Sequence, residues 1–348
     1  MAVTAATRLG NTPAHAPPVR HLQRDAKGAP VRDEWLQARL LPGRADPLIR
    51  ADELRRCRVL GVRRDAGLGD CIMITPALRA LRKAEPHLWV HFFVPGPYCD
   101  LFHGLAYLDG VSPLEDLAVE RFDRVVDLSN YVERHAFAWS ADRIELFGRG
   151  LGVEIDDGTP DCVIRPQARA WADAWLRERH GVTDGTHLIG VALRGNFPHR
   201  SWPRRHVEAF TAVATDAGLA CVVFDRDERA LVNGRQVINA CGLALDRVAA
   251  LVERCDVIVT PDTGLLHLAA ALGTPFVGIY GPVPPELRAA HYRNHRILLS
   301  ALPCVPCRES GPDFGEDRCG YACMAAVQPH EVWETALELI AQGPSGSE

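Results

Sequence analysis

Short apolar runs closed by turn clusters alternate with segments of helical spacing along most of the chain. Arg58–Val62, Leu88–Val94 and Phe122–Leu128 read as strands. After the first, Ala77, Leu78, Leu81 and Ala84 mark a helix running through Lys83, with Pro76 in its first turn and Thr75 as its cap. Helical patterning resumes over about residues 136–151. A polar, turn-rich stretch, 152–162, separates this block from a second one with a clearer rhythm. There the pattern predicts a helix at Ala168–His180, a strand at His187–Leu193, a helix at 204–217, strands at Leu219–Phe224 and Val237–Asn239, and a helix at Leu245–Arg254. Next come Val257–Thr260, the turn Pro261-Asp262-Thr263-Gly264, the almost wholly apolar Leu265–Leu272 and the run Phe276–Tyr280. A helix apolar on all sides belongs under a sheet, so this unit is read as the buried centre of a parallel, doubly wound sheet. Arg296–Ser300 adds a strand, and Gln328–Ile340 is an amphipathic helix with Pro329 at its start.

The expected architecture is therefore α/β, with two facing Rossmann-like domains: 57–160 and 161–328, followed by a C-terminal helix and tail at 329–348. Residues 1–56, rich in Ala, Pro and Arg at their start, are expected to form a largely disordered or accessory arm. The 348 residues are enough for two domains, and the net charge of -5 gives no nucleic-acid footprint. No apolar window approaches a membrane span and no compact secretory core opens the chain. Peripheral membrane contact is the most expected of it. Seven of the eleven cysteines are scattered in or beside apolar runs, which points to a reducing cytoplasm.

Candidate chemistry gathers at strand ends, where ligands of parallel sheets bind. The Thr263, Gly264 and Leu265 amides open a helix and suit an anion such as phosphate, while Asp262 suits sugar hydroxyls. Together they fit a nucleotide sugar, although Asp262 or Thr263 also reads as a simple helix cap. Arg200 would neutralise a diphosphate or is a surface arginine near a helix start, and Glu228 would accept ribose hydroxyls or is a solvated charge in a polar loop. His267, one turn on from Gly264, is either a site residue or a satisfied buried histidine. In the first domain, Asp70 follows the glycine-containing turn 63–70 as a general base or as a helix N-terminal acid. Arg63, Gly69 and Asn130 are expected on an acceptor side, and Arg63 and Arg64 would either meet an anionic acceptor or simply be solvated. Cys304-x2-Cys307-x11-Cys319-x3-Cys323 matches a closed tetrathiolate site for structural zinc or iron, with two disulfides or reduced thiols as alternatives.

Gly69-Asp70 with Thr75-Pro76-Ala77-Leu78 resembles the N-terminal signature of glycosyltransferase family 9. Asp262-Thr263-Gly264-Leu265-Leu266-His267-Leu268-Ala269-Ala270-Ala271-Leu272, then Tyr280-Gly281-Pro282, is similar to that family's most specific motif. Ser201-Trp202-Pro203 falls at the family's tryptophan before a helix, and the likeness covers about 57–340. It implies a GT-B fold and inverting transfer of a heptose, from ADP-heptose, to an acceptor hydroxyl, without a catalytic metal. In the roles it implies, Asp70 is the base, Arg200 stands where a phosphate-binding lysine is usual, Glu228, with Asp227 as the fallback, meets the ribose and Asp262 the donor sugar. Cysteine clusters before a last helix also occur in members that modify autotransporter proteins and hold iron there. The arm is extra, and the basic residues usual on the acceptor side are not evident around Asp127–Arg134. The acceptor, whether glycan, protein or small molecule, stays open, and an oligomer is compatible with all of this. Two rivals remain: a transferase or epimerase using another nucleotide sugar, and a non-catalytic metal-holding scaffold.

Overall fold

The computed structural model describes residues 19–21 (backbone only), 47–134, 141–183, 185–195, 197–306 and 320–343. In chain order these form β1 (Val19–His21), α1 (Ala51–Leu54), β2 (Val59–Arg63), α2 (Leu68–Met73), α3 (Thr75–Ala84), β3 (Trp89–Val94), β4 (Gly110–Pro113), β5 (Arg124–Asp127), α4 (Tyr131–Arg134), α5 (Arg143–Gly150) and α6 (Pro166–His180). There follow β6 (Leu188–Ala192), α7 (Arg204–Asp216), β7 (Ala220–Asp225), β8 (Val237–Cys241), α8 (Leu245–Glu253), β9 (Val257–Pro261), α9 (Gly264–Leu272), β10 (Phe276–Tyr280), α10 (Glu286–Ala289), β11 (His295–Ser300), α11 (Ala322–Ala326) and α12 (Pro329–Gln342).

Two sheets result. The smaller runs β4-β3-β2-β5, all parallel. The larger runs β1-β11-β10-β9-β6-β7-β8, parallel except for β1, which pairs antiparallel with β11. The α/β reading and nearly all its elements hold. Strands β6, β9 and β10 are buried at every position, as expected for strands covered on both faces. Around the expected arm, residues 1–18 and 22–46 lie outside the described residues. Val19–His21 nevertheless adds an edge strand to the larger sheet.

Three local differences have physical causes. The helix expected from the first turn through Lys83 is two helices that meet at Ile74, so Asp70 sits inside the first turn of α2 rather than at the turn's mouth. Thr75 is not a cap: its hydroxyl donates back to Ile72 O at 2.8 Å and accepts the Asp161 amide at 2.8 Å. Strand β4 was not foreseen, because Gly110-Val111-Ser112-Pro113 has only one apolar member buried at an edge.

One apolar core runs through both sheet systems, from Ile72 and Leu78 to Leu266, Tyr280 and Tyr292. A second lies beneath the other face of the larger sheet, where Val332, Ala336 and Leu339 of α12 meet Phe210 and Trp202. Trp202, 2% exposed, donates its indole N–H to Val327 O at 2.9 Å, which fixes the entry to α7.

Candidate active site

Helices α2 and α9 cross where the two sheets face each other. Two glycines allow it. A Cβ on Gly69 would collide with the His267 ring, and one on Gly264 would stand 3.1 Å from Leu68 Cβ. This close approach brings the two sequence motifs, distant along the chain, to one cleft.

On the α2 side stands Asp70, with its side chain 19% exposed. Its carboxylate meets Arg143 of α5 directly, and Arg64 Nη2 lies 3.3 Å away. Burial opposes the charge, but Arg143, Arg64 and Arg288 hold the carboxyl down to about 2. Arg64 is fully buried over the Phe147 ring, donates to Leu128 O at 2.5 Å and pairs with Glu133 at 2.8 Å. It is a structural clamp on Asp70, not a solvated or acceptor-facing cation. Arg63 is held by Asp127 (2.9 Å), Ser129 (2.8 Å) and Asp65 (3.0 Å). Asn130 is exposed just beyond β5, in the left-handed region (φ 61°).

On the α9 side, Asp262 follows β9 and is buried. Arg200 Nη1 donates to its Oδ2 at 3.0 Å, Arg288 Nε lies at 4.0 Å, and His267 Nε2 stands 3.6 Å from Oδ1. Burial again opposes ionisation, yet His267, Arg200 and Arg288 keep this carboxyl well below the usual range. His267 is only 3% exposed, and its Nδ1 meets Tyr292 Oη at 2.5 Å. With that phenol donating, the ring proton sits on Nε2, toward Asp262. His267 is thus both a buried, satisfied histidine and a neighbour of the site. Thr263 does cap α9: its hydroxyl accepts the Leu265 amide at 3.3 Å and shares a 3.0 Å bond with Thr260. The Gly264 N–H lies in the first turn, where a helix supplies no acceptor of its own.

Arg200, expected to await a diphosphate, instead holds Asp262 and lies over Phe197, 5.3 Å from the ring centre. Glu228 is exposed in the turn after β7, packed against Gly242. Its neighbour Asp225 is taken by Arg194 at 2.6 and 2.7 Å. Sequence reasoning missed Arg143, Arg288, Tyr280 and Tyr292. Arg143 carried no motif at all, whereas Tyr280 stood inside a quoted motif without an assigned role. Of the cysteine set, Cys304 is exposed and Cys323 buried beside Gly281, while Cys307 and Cys319 lie outside the described residues. Among the described residues, no group of three metal-ligating side chains occurs, and no helix is long and apolar enough to cross a membrane.

The family model described as glycosyltransferase family 9 (heptosyltransferase) matches residues 116–316. The chain is 40% identical over 261 residues to lipopolysaccharide heptosyltransferase 1 of Pseudomonas aeruginosa, a match covering 69% of the chain and 68% of that protein. Against several heptosyltransferase 2 relatives it spans about half or less of their length. The fold is similar to that of Escherichia coli ADP-heptose lipopolysaccharide heptosyltransferase II, with a TM-score of 0.64 at 18% identity over 81% of this chain and 98% of that one. It is equally similar to the iron-containing dodecameric glycosyltransferase TibC of enterotoxigenic E. coli, with a TM-score of 0.64 at 14% identity over 82% and 77%.

Proposed function

Because the chain belongs to glycosyltransferase family 9, the heptosyltransferases, we propose that it transfers a heptose from ADP-heptose to an acceptor hydroxyl with inversion at the anomeric carbon. The observation that carries this reading is the placing of Asp70 and Asp262 on the two sides of the α2–α9 crossing, with arginines around both and Arg288 acting on each. In the reading, the diphosphate draws Arg200 from Asp262 and lies at the first turn of α9, near the Gly264 amide. Asp262 receives the sugar, and Glu228 the ribose. The acceptor oxygen attacks the anomeric carbon as the bond to the β-phosphate breaks. Its proton passes to Asp70, and the leaving diphosphate keeps the electron pair, met by Arg200 and the helix N-terminus. Asp70 is a weak base with two arginines beside it. It suffices late in the transfer, when the partly bonded acceptor oxygen has become acidic. Arg63, Gly69 and Asn130 line the acceptor side.

Thermal unfolding against ADP, UDP, GDP, dTDP and their sugar nucleotides tests the donor, since a ligand of the folded state raises the midpoint. Selective stabilisation by ADP-heptose is expected. Asp70→Ala should keep that shift but lose transfer by about two orders of magnitude or more. Wild-type turnover in this variant would remove Asp70 from the base role. No shift with any nucleotide would favour the scaffold reading.

We also hold to a structural iron or zinc at Cys304, Cys307, Cys319 and Cys323. The spacing and four-thiolate chemistry support it, as does the iron-containing fold neighbour. No step of transfer runs through that metal. A cytoplasmic location fits the scattered thiols. A higher oligomer has a precedent in the dodecameric neighbour.

A further inference from the structure

Tyr280 closes β10 with its side chain 1% exposed, yet its hydroxyl has no hydrogen-bond partner among the described residues. A buried polar group left unpaired costs about 1–3 kcal/mol. A phenylalanine would fill the same space without that cost. The ring's direction is fixed by packing, since a Cβ on Gly278 would lie 3.1 Å from Tyr280 Cε2. Tyr280 is one wall of a narrow crevice that Arg200, Asp262, Gly281, Pro282, Val283 and Met324 also line. Burial keeps the phenol protonated, so it is a donor at neutral pH. Asp262, which lines the same crevice and acts electrostatically on Tyr280, is ionised and can only accept. A donor and an acceptor facing one crevice are complementary to a hydroxyl group, which both accepts and donates.

We infer that Tyr280 is a specificity contact for the donor's sugar, its phenol donating to the carbohydrate hydroxyl that in turn donates to Asp262. The inference rests on the nucleotide-sugar reading above and goes beyond it by assigning a role to Tyr280. Arg200 and Asp262, both on the wall of the crevice, are paired at 3.0 Å in the structure as it stands. Transfer of Arg200 to the diphosphate would part them, so the sugar pocket would form only when the nucleotide half is seated.

The test is calorimetric titration of the full chain and of Tyr280→Phe with ADP and with ADP-heptose, alongside the unfolding midpoint of each ligand-free protein. Expected are an ADP affinity within about twofold of wild type, an ADP-heptose affinity weaker by about five- to tenfold, and a ligand-free midpoint that does not fall. In the Asp262→Ala background the same substitution should cost less, because the shared hydroxyl has already lost one partner. Equal ADP-heptose affinity in wild type and Tyr280→Phe overturns the inference, and so would point to a buried water on the phenol. Equal weakening of ADP and ADP-heptose overturns it in favour of the nucleotide half. A lowered midpoint with no selective loss overturns it in favour of packing alone. A wild-type chain that binds ADP but not ADP-heptose overturns the heptose reading itself, and this inference with it.

Discussion

Asp70 shows how far a motif defines a residue and where its surroundings take over. The sequence supplied the carboxylate after a glycine turn, but its proton affinity is set by Arg64, from the end of β2, and Arg143, from α5. With its carboxyl held down to about 2, Asp70 is ionised throughout the working range. The sign of the pH effect follows. Its contribution to stability is present above the ordinary carboxylate range and is lost as pH falls toward 2. Likewise, no acid limb from Asp70 is expected in kcat/KM between pH 5 and 8. Arg143→Gln removes the largest opposing charge and leaves Arg64, so Asp70 should titrate about one unit higher or more. An acid limb should then enter the low end of the measurable range. Superimposable pH–rate profiles for wild type and Arg143→Gln would remove the arginine's hold on the base.

Elements with uniform patterning were the most legible. Leu265–Leu272 read as a buried helix because it is apolar on every side, and all of β9 and β10 is buried around it. Patterning was weakest at an edge, in β4, and at the Ile74 break, where a threonine bonds back to a preceding carbonyl instead of capping. The cleft itself was legible only in halves. Each glycine could be seen in the sequence, but not that Gly69 would meet His267 and Gly264 would meet Leu68. Arg143, Arg288 and Tyr292 reach the site through such crossings, which leave no spacing signal. The crossing makes Gly69→Ala a sharp probe. A Cβ there collides with a buried ring held by Tyr292, and overpacking of this kind costs about 1–3 kcal/mol. A Cβ on Gly67, two residues earlier, meets nothing within 4 Å, and its φ of -66° suits alanine. Urea denaturation should show Gly69→Ala destabilised and Gly67→Ala close to wild type, because what glycine gains over alanine at an N-cap is offset by the entropy that alanine removes from the unfolded chain. Equal stability of the two variants would mean that α2 and α9 do not pack as seen.

At the scale of the whole molecule, the two sheet systems are joined by the shared apolar core and, among the described residues, by polar contacts such as Arg165 with Asp100 and His291 with Asp142. The best placed of these is His291, beyond α10, whose Nε2 lies 3.3 Å from Asp142 Oδ1 at the N-cap of α5. Its ring also lies against Gly158, where a Cβ would not fit. The Asp142 carboxylate beside it raises His291 above its ordinary 6.5 against the effect of burial, with Glu145 and Asp157 adding in the same sense. A raised histidine stabilises fully below its unfolded value, and the contribution is lost as pH rises through the folded value. The hold between the halves should therefore weaken as pH rises from 6.5 through the raised folded value, where Asp70 and Asp262 stay ionised and contribute no change. His91, His180 and His206 are pushed down by burial and act with the opposite sign, so the wild-type curve alone would mislead. The difference between wild type and His291→Gln isolates the contact. From pH 6 to 8.5 the unfolding midpoint of wild type should fall relative to the variant's, and its radius of gyration by X-ray scattering should rise while the variant's stays level. Parallel midpoint curves would mean that Asp142 and His291 do not couple the halves. In the proposed reaction donor and acceptor would meet between those halves, so the same comparison of ADP-heptose affinity at the two pH values would show whether closure at this contact reaches the site.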